Sequence, residues 1–166
     1  AGPAPRLARR HEFEGMAKRD PASVGARTMV GLILEAQGKT EDARKSYEQT
    51  VNDVANAPVA ANNLAFIYAE QGANLDRALE LATSAKRRLP DDPRVDDTIG
   101  WVYYKKNLAF LAIAPLEDAI KKQPDYADAH YHLGMAHAKL GDREKARVSL
   151  DRALKLNPNI GGDEAR

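Results

Sequence analysis

Apolar and polar residues follow each other along this chain with the period of α-helices. The clearest stretch is 145–156, where the i, i+4, i+7 and i+8 positions of an amphipathic helix are Ala146, Leu150, Ala153 and Leu154. Residues 127–140 carry apolar or small residues at helical spacing, and Gly141 and Asp142 interrupt the pattern between the two stretches. The pattern predicts two helices joined by a short turn, and no part of the sequence is predicted as a β-strand.

This pair of helices recurs through most of the chain. Small residues stand 34, 35 and 34 positions apart, at Gly31, Ala65, Gly100 and Gly134. An alanine follows each of them after 12 or 13 residues, at Ala43, Ala78, Ala112 and Ala146. A proline follows three of these alanines after another 12 residues, at Pro90, Pro124 and Pro158. Recurrence at this period predicts a stacked array of helical hairpins, with units at 24–57, 58–92, 93–126 and 127–160.

The residues between the two helices of each unit favour a tight turn. Glycine and asparagine tolerate the left-handed backbone that ends a helix, and they stand at the predicted turns as Gly38, Gly72, Asn107 and Gly141. Pro115 lies inside a predicted second helix. Because proline removes one backbone donor there, we expect it to bend or loosen that helix locally.

Two shorter segments flank the four units. Residues 1–23 are predicted to contain one further helix, at 5–19, which is the second half of a preceding unit. Residues 161–166 are predicted to be a tail or the beginning of a truncated helix. The sequence has no initiating methionine, and together with the phase of the repeat this indicates a piece of a longer protein.

The repeated residues resemble the tetratricopeptide repeat (TPR) family, whose 34-residue pattern is W-x2-L-G-x2-Y, A-x3-F and P. The eighth position of every unit is Gly or Ala, the twentieth is Ala, and the seventh is apolar as Val30, Leu64, Ile99 and Leu133. The resemblance covers residues 24–160. It implies an all-α solenoid, a right-handed superhelix of four repeats plus a preceding helix, from a larger bacterial protein. It also implies that the first helices line a concave groove.

In the TPR family the groove is lined by positions 2, 5, 6, 9, 12 and 13 of each unit. Apolar anchors, amides and charges at these positions suit an extended peptide, whose backbone must be paired while its side chains seek pockets. Trp101 is either a groove anchor or a residue packed against a neighbouring first helix. The candidate ligand-binding residues are Asn62, Asn63, Phe66, Arg94, Thr98, Trp101, Lys105, Tyr131, His132 and Met135.

One TPR subclass binds the terminal carboxylate of chaperone tails with a fixed set of lysines and asparagines. The corresponding positions in this sequence are Thr28, Leu32, Asn63, Arg94 and Thr98. Asn63 matches, and Arg94 keeps only the charge. Because the other three positions lack the required side chains, we do not expect this chain to bind such tails.

Charge and composition exclude several function classes. The 25 basic and 24 acidic residues nearly balance, with a net charge of +1, whereas nucleic-acid binders show a basic excess on one face. We therefore expect no nucleic-acid partner. No apolar run reaches the ~18 residues of a membrane span. With no cysteine the chain has no disulfide or thiolate site, and its composition fits a soluble protein of the cytoplasm or the bacterial periplasm.

The histidines do not predict a metal site. His130 and His137 share one helix face but lie about 10 Å apart along the axis, too far for one ion with bonds near ~2 Å. We expect these two in the core and His132 in the groove. The sequence has no glycine-rich phosphate loop and no catalytic constellation. We therefore predict no metal, no cofactor and no enzymatic activity.

The sequence thus favours a protein- or peptide-binding scaffold that uses the concave groove. The alternative is a structural spacer or self-association module within a longer array, for example of a cell-envelope export or assembly system. Leu108, Phe110 and Leu111 replace residues that are usually polar in the family; they form an exposed apolar patch or lie beneath an adjacent helix. The uncapped C-terminal end, with Leu150 and Leu154, is a second candidate surface for self-association.

Overall fold

The computed structural model describes residues 3–162, with side chains from residue 11 onward. Within this range the chain forms nine α-helices and no β-strand, which confirms the all-α prediction. Residues 163–166, which hold most of the predicted tail, lie outside the described residues, as do residues 1 and 2. The helices are α1 Pro3–Arg19, α2 Val24–Ala36, α3 Thr40–Asp53, α4 Pro58–Gln71, α5 Leu75–Arg88, α6 Pro93–Lys105, α7 Ala109–Lys122, α8 Ala127–Lys139 and α9 Arg143–Leu156.

Local signals in the sequence explain where several helices begin. Ser23 and Asp142 accept hydrogen bonds from backbone N–H groups at the start of α2 and α9, at 3.4 and 3.2 Å. Asp92 accepts from the backbone of Arg94 at the start of α6, at 3.0 Å. Such caps pair backbone donors that have no partner inside the helix. The hydrogen bond and charge of the Arg94 side chain lower the pKa of Asp92.

Helices α2 to α9 pair into four hairpins, α2–α3, α4–α5, α6–α7 and α8–α9. The predicted unit 58–92 is one residue longer than the other three. Asn74, in the turn of α4–α5, has a positive φ of 52°, and this turn accommodates the extra residue. The predicted turn residues are confirmed, since each has a positive φ: Gly38 at 72°, Gly72 at 62°, Asn107 at 61° and Gly141 at 81°.

Small residues set the distance between the two helices of each hairpin. Ala65 and Ala82 are both completely buried in α4–α5. In the other three hairpins a glycine faces a larger side chain, and no Cβ would fit between them. A Cβ added to Gly31 would lie 2.2 Å from the Tyr47 ring. One added to Gly100 would lie 2.4 Å from Leu116, and one added to Gly134 would lie 2.6 Å from Leu150.

The first helices of the hairpins form an inner layer. Helix α2 contacts α4, α4 contacts α6, and α6 contacts α8, whereas the second helices of the described hairpins make few contacts with one another. Because the first helices approach each other more closely, the array curves toward them. The surface of α2, α4, α6 and α8 is called the concave face below.

A buried aspartate connects the second hairpin to the third. The carboxylate of Asp96, in α6, accepts a hydrogen bond from Lys86 of α5 at 2.5 Å and another from Lys122 of α7. Both lysine Nζ atoms also donate to the carbonyl oxygen of Pro90, at 2.6 and 2.7 Å. Three helices from two hairpins are thereby fixed to one carboxylate.

Helix α7 runs without interruption from Ala109 to Lys122 although Pro115 lies inside it. At the C-terminal end, Ile160 is buried and Leu150 and Leu154 are partly buried. The longest helix, α1, has 17 residues, and none of the helices within residues 3–162 has the length and apolar character needed to cross a bilayer.

Candidate functional site

Aromatic side chains from three helices meet on the concave face. The indole of Trp101, in α6, stacks on Tyr104 with ring centroids 4.6 Å apart and an angle of 3° between the planes. The imidazole of His132, in α8, stacks on the same indole at 4.0 Å and 20°. Tyr131 is tilted against the indole at 6.2 Å, and Phe66 of α4 against the imidazole at 6.1 Å. These five residues are called the aromatic cluster.

Trp101 is held on several sides. Its Nε1 donates to the carboxylate of Glu70, in α4, at 2.6 Å. The Nζ of Lys105 lies 4.9 Å from the centre of the indole, within the range of a cation–π contact. The residue is only 5% exposed. Trp101 therefore packs against α4 and α8 and forms the back of the concave face.

A buried acid–base pair lies next to the aromatic cluster. Nδ1 of His132 donates to Oδ1 of Asp97, in α6, at 2.7 Å. The two residues are 4% and 2% exposed. The second carboxylate oxygen of Asp97 lies 3.5 Å from the hydroxyl of Tyr126. Because the imidazole satisfies a buried carboxylate, this pair connects α6 to α8.

Burial and the negative charge of Asp97 also raise the pKa values of two neighbouring residues. Burial raises the pKa of Tyr126, and the negative charge of Asp97 raises it further. Burial and the same charge raise the pKa of the Asp128 carboxyl. In both cases the negatively charged form is disfavoured, because it is poorly solvated and close to another negative charge.

The α2–α4 half of the concave face contains hydrogen-bonded amides. Nδ2 of Asn63 donates to the hydroxyl of Tyr47 at 3.1 Å, and that hydroxyl donates to Glu35 at 2.6 Å. Nδ2 of Asn62 lies 3.4 Å from Oδ1 of Asn63. Burial and the hydrogen bond to Glu35 raise the pKa of Tyr47. Tyr47 belongs to α3, the second helix of the first hairpin, so this network is not formed by the first helices alone.

Four buried side-chain atoms of the described residues have no hydrogen-bond partner, on Arg27, Thr28, Gln37 and Asn62, and two of them occupy the same position of the repeat. Thr28, in α2, and Asn62, in α4, stand 34 residues apart in the repeat, and each is 7% exposed. Oγ1 of Thr28 and Oδ1 of Asn62 form no hydrogen bond with any described residue. Asp97 is the next member of this row, 35 residues after Asn62, and its carboxylate is paired with His132.

The other candidate residues differ in how accessible they are. The guanidinium of Arg94 is engaged with Asp92, with a shortest distance of 2.6 Å. Thr98 is buried, and its hydroxyl donates to the backbone oxygen of Arg94 at 2.9 Å. Met135 is partly buried against the core. The ten predicted residues lie on α4, α6 and α8. Five of them are buried and offer little surface: Asn62, Thr98, Trp101, Tyr131 and His132.

Residues outside the ten candidates hold this arrangement in place. Glu70 and Asp97 stand at groove positions of the repeat, yet their contacts were not predicted. The available signal was their distance along the chain: Glu70 precedes Trp101 by 31 residues and Asp97 precedes His132 by 35. Both separations are close to one repeat, so these residues face each other across adjacent first helices.

The three histidines of α8 occupy separate environments. His130 lies partly buried, and its Nε2 donates to the carbonyl oxygen of Pro124 at 2.9 Å. His137 is buried, and His132 is paired with Asp97. Within residues 11–162, no group of three or more His, Asp or Glu side chains is arranged to hold a metal ion.

Family models match most of the repeat region. A tetratricopeptide repeat model matches residues 28–93, a TPR repeat model matches residues 100–141, and a second tetratricopeptide repeat model matches residues 127–160. The chain belongs to the tetratricopeptide repeat (TPR) family. The resemblance predicted from the spacing of small residues, alanines and prolines is thereby confirmed.

Curated relatives of this TPR chain are much longer proteins. The chain is 27% identical over 151 residues to protein O-mannosyl-transferase TMTC1 of Homo sapiens, a match that covers 89% of the chain and 17% of that protein. It is 26% identical over 121 residues to TPR repeat-containing protein PA4667 of Pseudomonas aeruginosa, with coverages of 73% and 20%. The chain thus spans a fifth or less of the length of these relatives.

Solved TPR structures share the fold. The thermophilic TPR protein TTC0263 of Thermus thermophilus superimposes with a TM-score of 0.74 at 25% identity, covering 86% of this chain and 79% of that one. YrrB, described as a TPR protein with an unusual peptide-binding site, superimposes with a TM-score of 0.70 at 17% identity, with coverages of 95% and 80%. The likeness to YrrB is a likeness of fold alone.

Proposed function

We propose that this TPR chain is a scaffold that binds a protein segment or an extended peptide on its concave face. The observation that carries the proposal is the pair of buried, unpartnered atoms in the α2–α4 half, Oγ1 of Thr28 and Oδ1 of Asn62. Leaving such atoms unpaired is unfavourable. Because both oxygens are buried in the chain alone, the proposal requires the two side chains to reorient toward the concave face, where they accept from backbone N–H groups of the ligand.

Apolar side chains lie along the same concave face. Phe66 and Met135 are partly buried and keep part of their surface accessible. Met29, in α2, is 37% exposed. An extended peptide presents its backbone and alternate side chains to a surface at the same time. In this proposal Thr28 and Asn62 take the backbone, and the apolar residues take the side chains.

The TPR family and the YrrB neighbour support this type of ligand. TPR proteins bind protein or peptide partners, and YrrB has a peptide-binding site. That site identifies a class of ligand for the fold, and the residues assigned here rest on the contacts of this chain.

We infer that the chain acts by binding rather than by catalysis. The polar groups of the aromatic cluster are engaged in holding helices together: Glu70 holds Trp101, and Asp97 holds His132. One relative is named a mannosyl-transferase, but the match covers only 17% of the length of that protein. A transferase or hydrolase activity that is lost on substitution of one named side chain would overturn this inference.

A peptide-library selection against the purified chain tests the binding proposal. The best peptide is then titrated by fluorescence anisotropy against the double variant Thr28→Val/Asn62→Leu, in which both acceptors are replaced by apolar groups of similar size. Each lost hydrogen bond is worth about 0.5–1.5 kcal/mol, so we expect affinity to fall about tenfold. Thr83→Val, on the exposed surface of α5, is the control and should bind normally. Equal affinity for all three folded proteins would contradict the proposal.

Self-association is a second candidate function, and Phe110 favours it. This residue, in the first turn of α7, is 78% exposed, and its neighbours Leu108 and Leu111 are 42% and 46% exposed. They do not lie beneath an adjacent helix, which was the alternative. Adjacent exposed apolar side chains are typical of a contact surface, and the proposed occupant is a second copy of the chain.

Sedimentation equilibrium over a wide concentration range distinguishes this function from a purely monomeric scaffold. A dimer that forms at high concentration and is lost in Phe110→Asp supports self-association. Val148→Asp removes a different exposed apolar side chain, on α9, and serves as the matched control. A monomer at every concentration rules the second candidate out.

A further inference from the structure

Four charged residues occupy the last turns of the four first helices. Glu35 lies in α2 and Glu70 in α4, whereas Lys105 ends α6 and Lys139 ends α8. Along the array the order is therefore acid, acid, base, base. These four residues are called the charged rim, and they lie on the turn side of the concave face.

The charged rim is attached to the aromatic and amide groups of the concave face. Glu35 accepts from Tyr47, and Glu70 accepts from Trp101, each at 2.6 Å. Lys105 lies over the indole of Trp101 at 4.9 Å. Lys139 lies 4.5 Å from the centre of the Tyr104 ring and donates to the side chain of Asn107 at 2.5 Å.

The charges of the charged rim are not neutralised by direct ion pairs with described residues. All of the contacts just described are with neutral groups, and none of the four residues forms an ion pair with a residue of the described region. Other charges on the array are paired, such as Lys106 with Asp76 and Arg27 with Asp53. The charged rim thus carries two negative charges at one end and two positive charges at the other, with Glu70 and Lys139 exposed and Glu35 and Lys105 partly buried.

Helix stability explains only half of this pattern. The C-terminal end of a helix carries a partial negative charge, which favours cations and disfavours anions in the last turn. Lys105 and Lys139 fit that rule. Glu35 and Glu70 stand against it, because each places a carboxylate in the last turn of its helix. The acidic half of the charged rim therefore gains nothing from the dipoles of the helices that carry it, although Glu35 and Glu70 accept hydrogen bonds from Tyr47 and Trp101.

We propose that the concave face selects a peptide segment with segregated charges, with basic residues beside α2 and α4 and acidic residues beside α6 and α8. The inference rests on the proposed function, since it specifies the ligand of the same surface. Opposite charges on the ligand complement each end of the charged rim, and reversed charges are repelled. The charge pattern thereby fixes which end of the segment lies on which end of the array.

Two labelled peptides with the same composition and the same apolar centre test this proposal. One carries three lysines at one end and three glutamates at the other, and the second has the same six residues alternating. Each exposed contact changes affinity by about two- to fivefold. We expect the segregated peptide to bind the full chain about tenfold more tightly in fluorescence anisotropy, with the difference shrinking in ~0.5 M salt.

The double variant Glu70→Lys/Lys105→Glu makes the charged rim alternate while keeping its composition. We expect this variant to prefer the alternating peptide. The matched control, Asp118→Lys/Lys121→Glu, exchanges two exposed charges on α7 and should keep the original preference. Melting curves of both variants establish that each remains folded at the temperature of the titration.

The outcomes separate this inference from the proposed function. If both peptides bind equally and Thr28→Val/Asn62→Leu weakens both, charge selection is wrong and groove binding stands. If neither peptide binds at millimolar concentration, the charge-segregated ligand is wrong, and the library selection decides groove binding separately. A preference that the Glu70→Lys/Lys105→Glu exchange leaves unchanged also overturns the inference.

Discussion

The two halves of the concave face use equivalent positions in different ways. In the α2–α4 half, Thr28 and Asn62 are buried with atoms that have no described partner. In the α6–α8 half, the equivalent Asp97 is paired with His132, and the imidazole stacks on Trp101. One half leaves buried polar atoms without a described partner, and the other uses the equivalent position to hold adjacent hairpins together.

This difference separates binding from stability within one repeated scaffold. Substitutions in the α6–α8 half should primarily destabilise the fold, because they remove buried contacts between helices. Substitutions in the α2–α4 half should primarily affect a ligand, because the atoms concerned contribute little to the folded chain alone. Four predictions test this division.

Trp101→Ala is expected to have the largest effect. The variant removes a nearly buried indole and its hydrogen bond to Glu70, and such truncations cost about 3–5 kcal/mol of unfolding free energy. Urea denaturation followed by circular dichroism measures the loss. Phe110→Ala, at an exposed position of α7, is the control and should change stability by less than ~0.5 kcal/mol. A Trp101→Ala loss below ~1 kcal/mol would show that the indole is not a core element.

Asp97→Ala should rank second, with a loss of about 3 kcal/mol. Removing one member of a buried pair leaves the other without its partner, and here His132 would stay enclosed between Trp101 and α6. Asp97→Asn keeps an acceptor for the imidazole and should lose less. The order of the two variants in urea denaturation is the decisive readout; equal losses would indicate that the negative charge itself matters most.

Asn63→Ala is expected to cost about 1 kcal/mol, the value of a typical hydrogen bond. Its amide donates to Tyr47, whose hydroxyl stays paired with Glu35 in the variant. Asn56→Ala, at an exposed position before α4, is the control. A loss for Asn63→Ala as large as that for Asp97→Ala would remove the distinction between the two halves.

The smallest expected effect has the opposite sign. Burial and the charge of Asp97 raise the pKa of Asp128, so the folded state disfavours the ionised carboxylate. A raised pKa gives stability at acidic pH that is lost as pH rises through the folded-state pKa. Because the Asp128 residue is exposed, solvent screens the effect, and Asp128→Asn should stabilise the chain at pH 7 by at most about 0.5 kcal/mol.

Thermal melting as a function of pH measures this effect. The difference between Asp128→Asn and the natural chain should disappear as pH falls below the ordinary aspartate value of about 3.9, where both side chains are neutral. A variant that is less stable at pH 7 would show that the carboxylate is stabilised by contacts rather than penalised.

The sequence predicted the fold well because the fold depends on short-range signals. Gly38 and Asn107 end helices through their own backbone preferences, and Gly31 recurs at the period of the repeat. The residues beside the site were harder to predict. The pairing of Asp97 with His132 joins positions 35 residues apart on different helices, and it follows only once adjacent units are stacked.

The burial of single side chains was also hard to predict, because the same sequence pattern fits a buried and an exposed position. Trp101 suits both a ligand surface and a helix interface, and its 5% exposure follows from Glu70 and His132 holding it in place. Phe110 suits both a buried and an exposed position. Its 78% exposure follows from its place in the first turn of α7, where no described helix covers it.

The matched sizes within each hairpin determine how this array can be recombined. Gly100 is compatible with Leu116 because it lacks a Cβ, whereas Ala65 is matched by Ala82. Joining α4 to α7 would place a leucine against a methyl group, and joining α6 to α5 would leave a void. Breakpoints between hairpins preserve every matched pair. Whole hairpins are therefore the units that gene duplication or protein engineering can move with their size matches intact, provided that the contacts between hairpins, such as Lys86–Asp96 and Asp97–His132, are moved or replaced together.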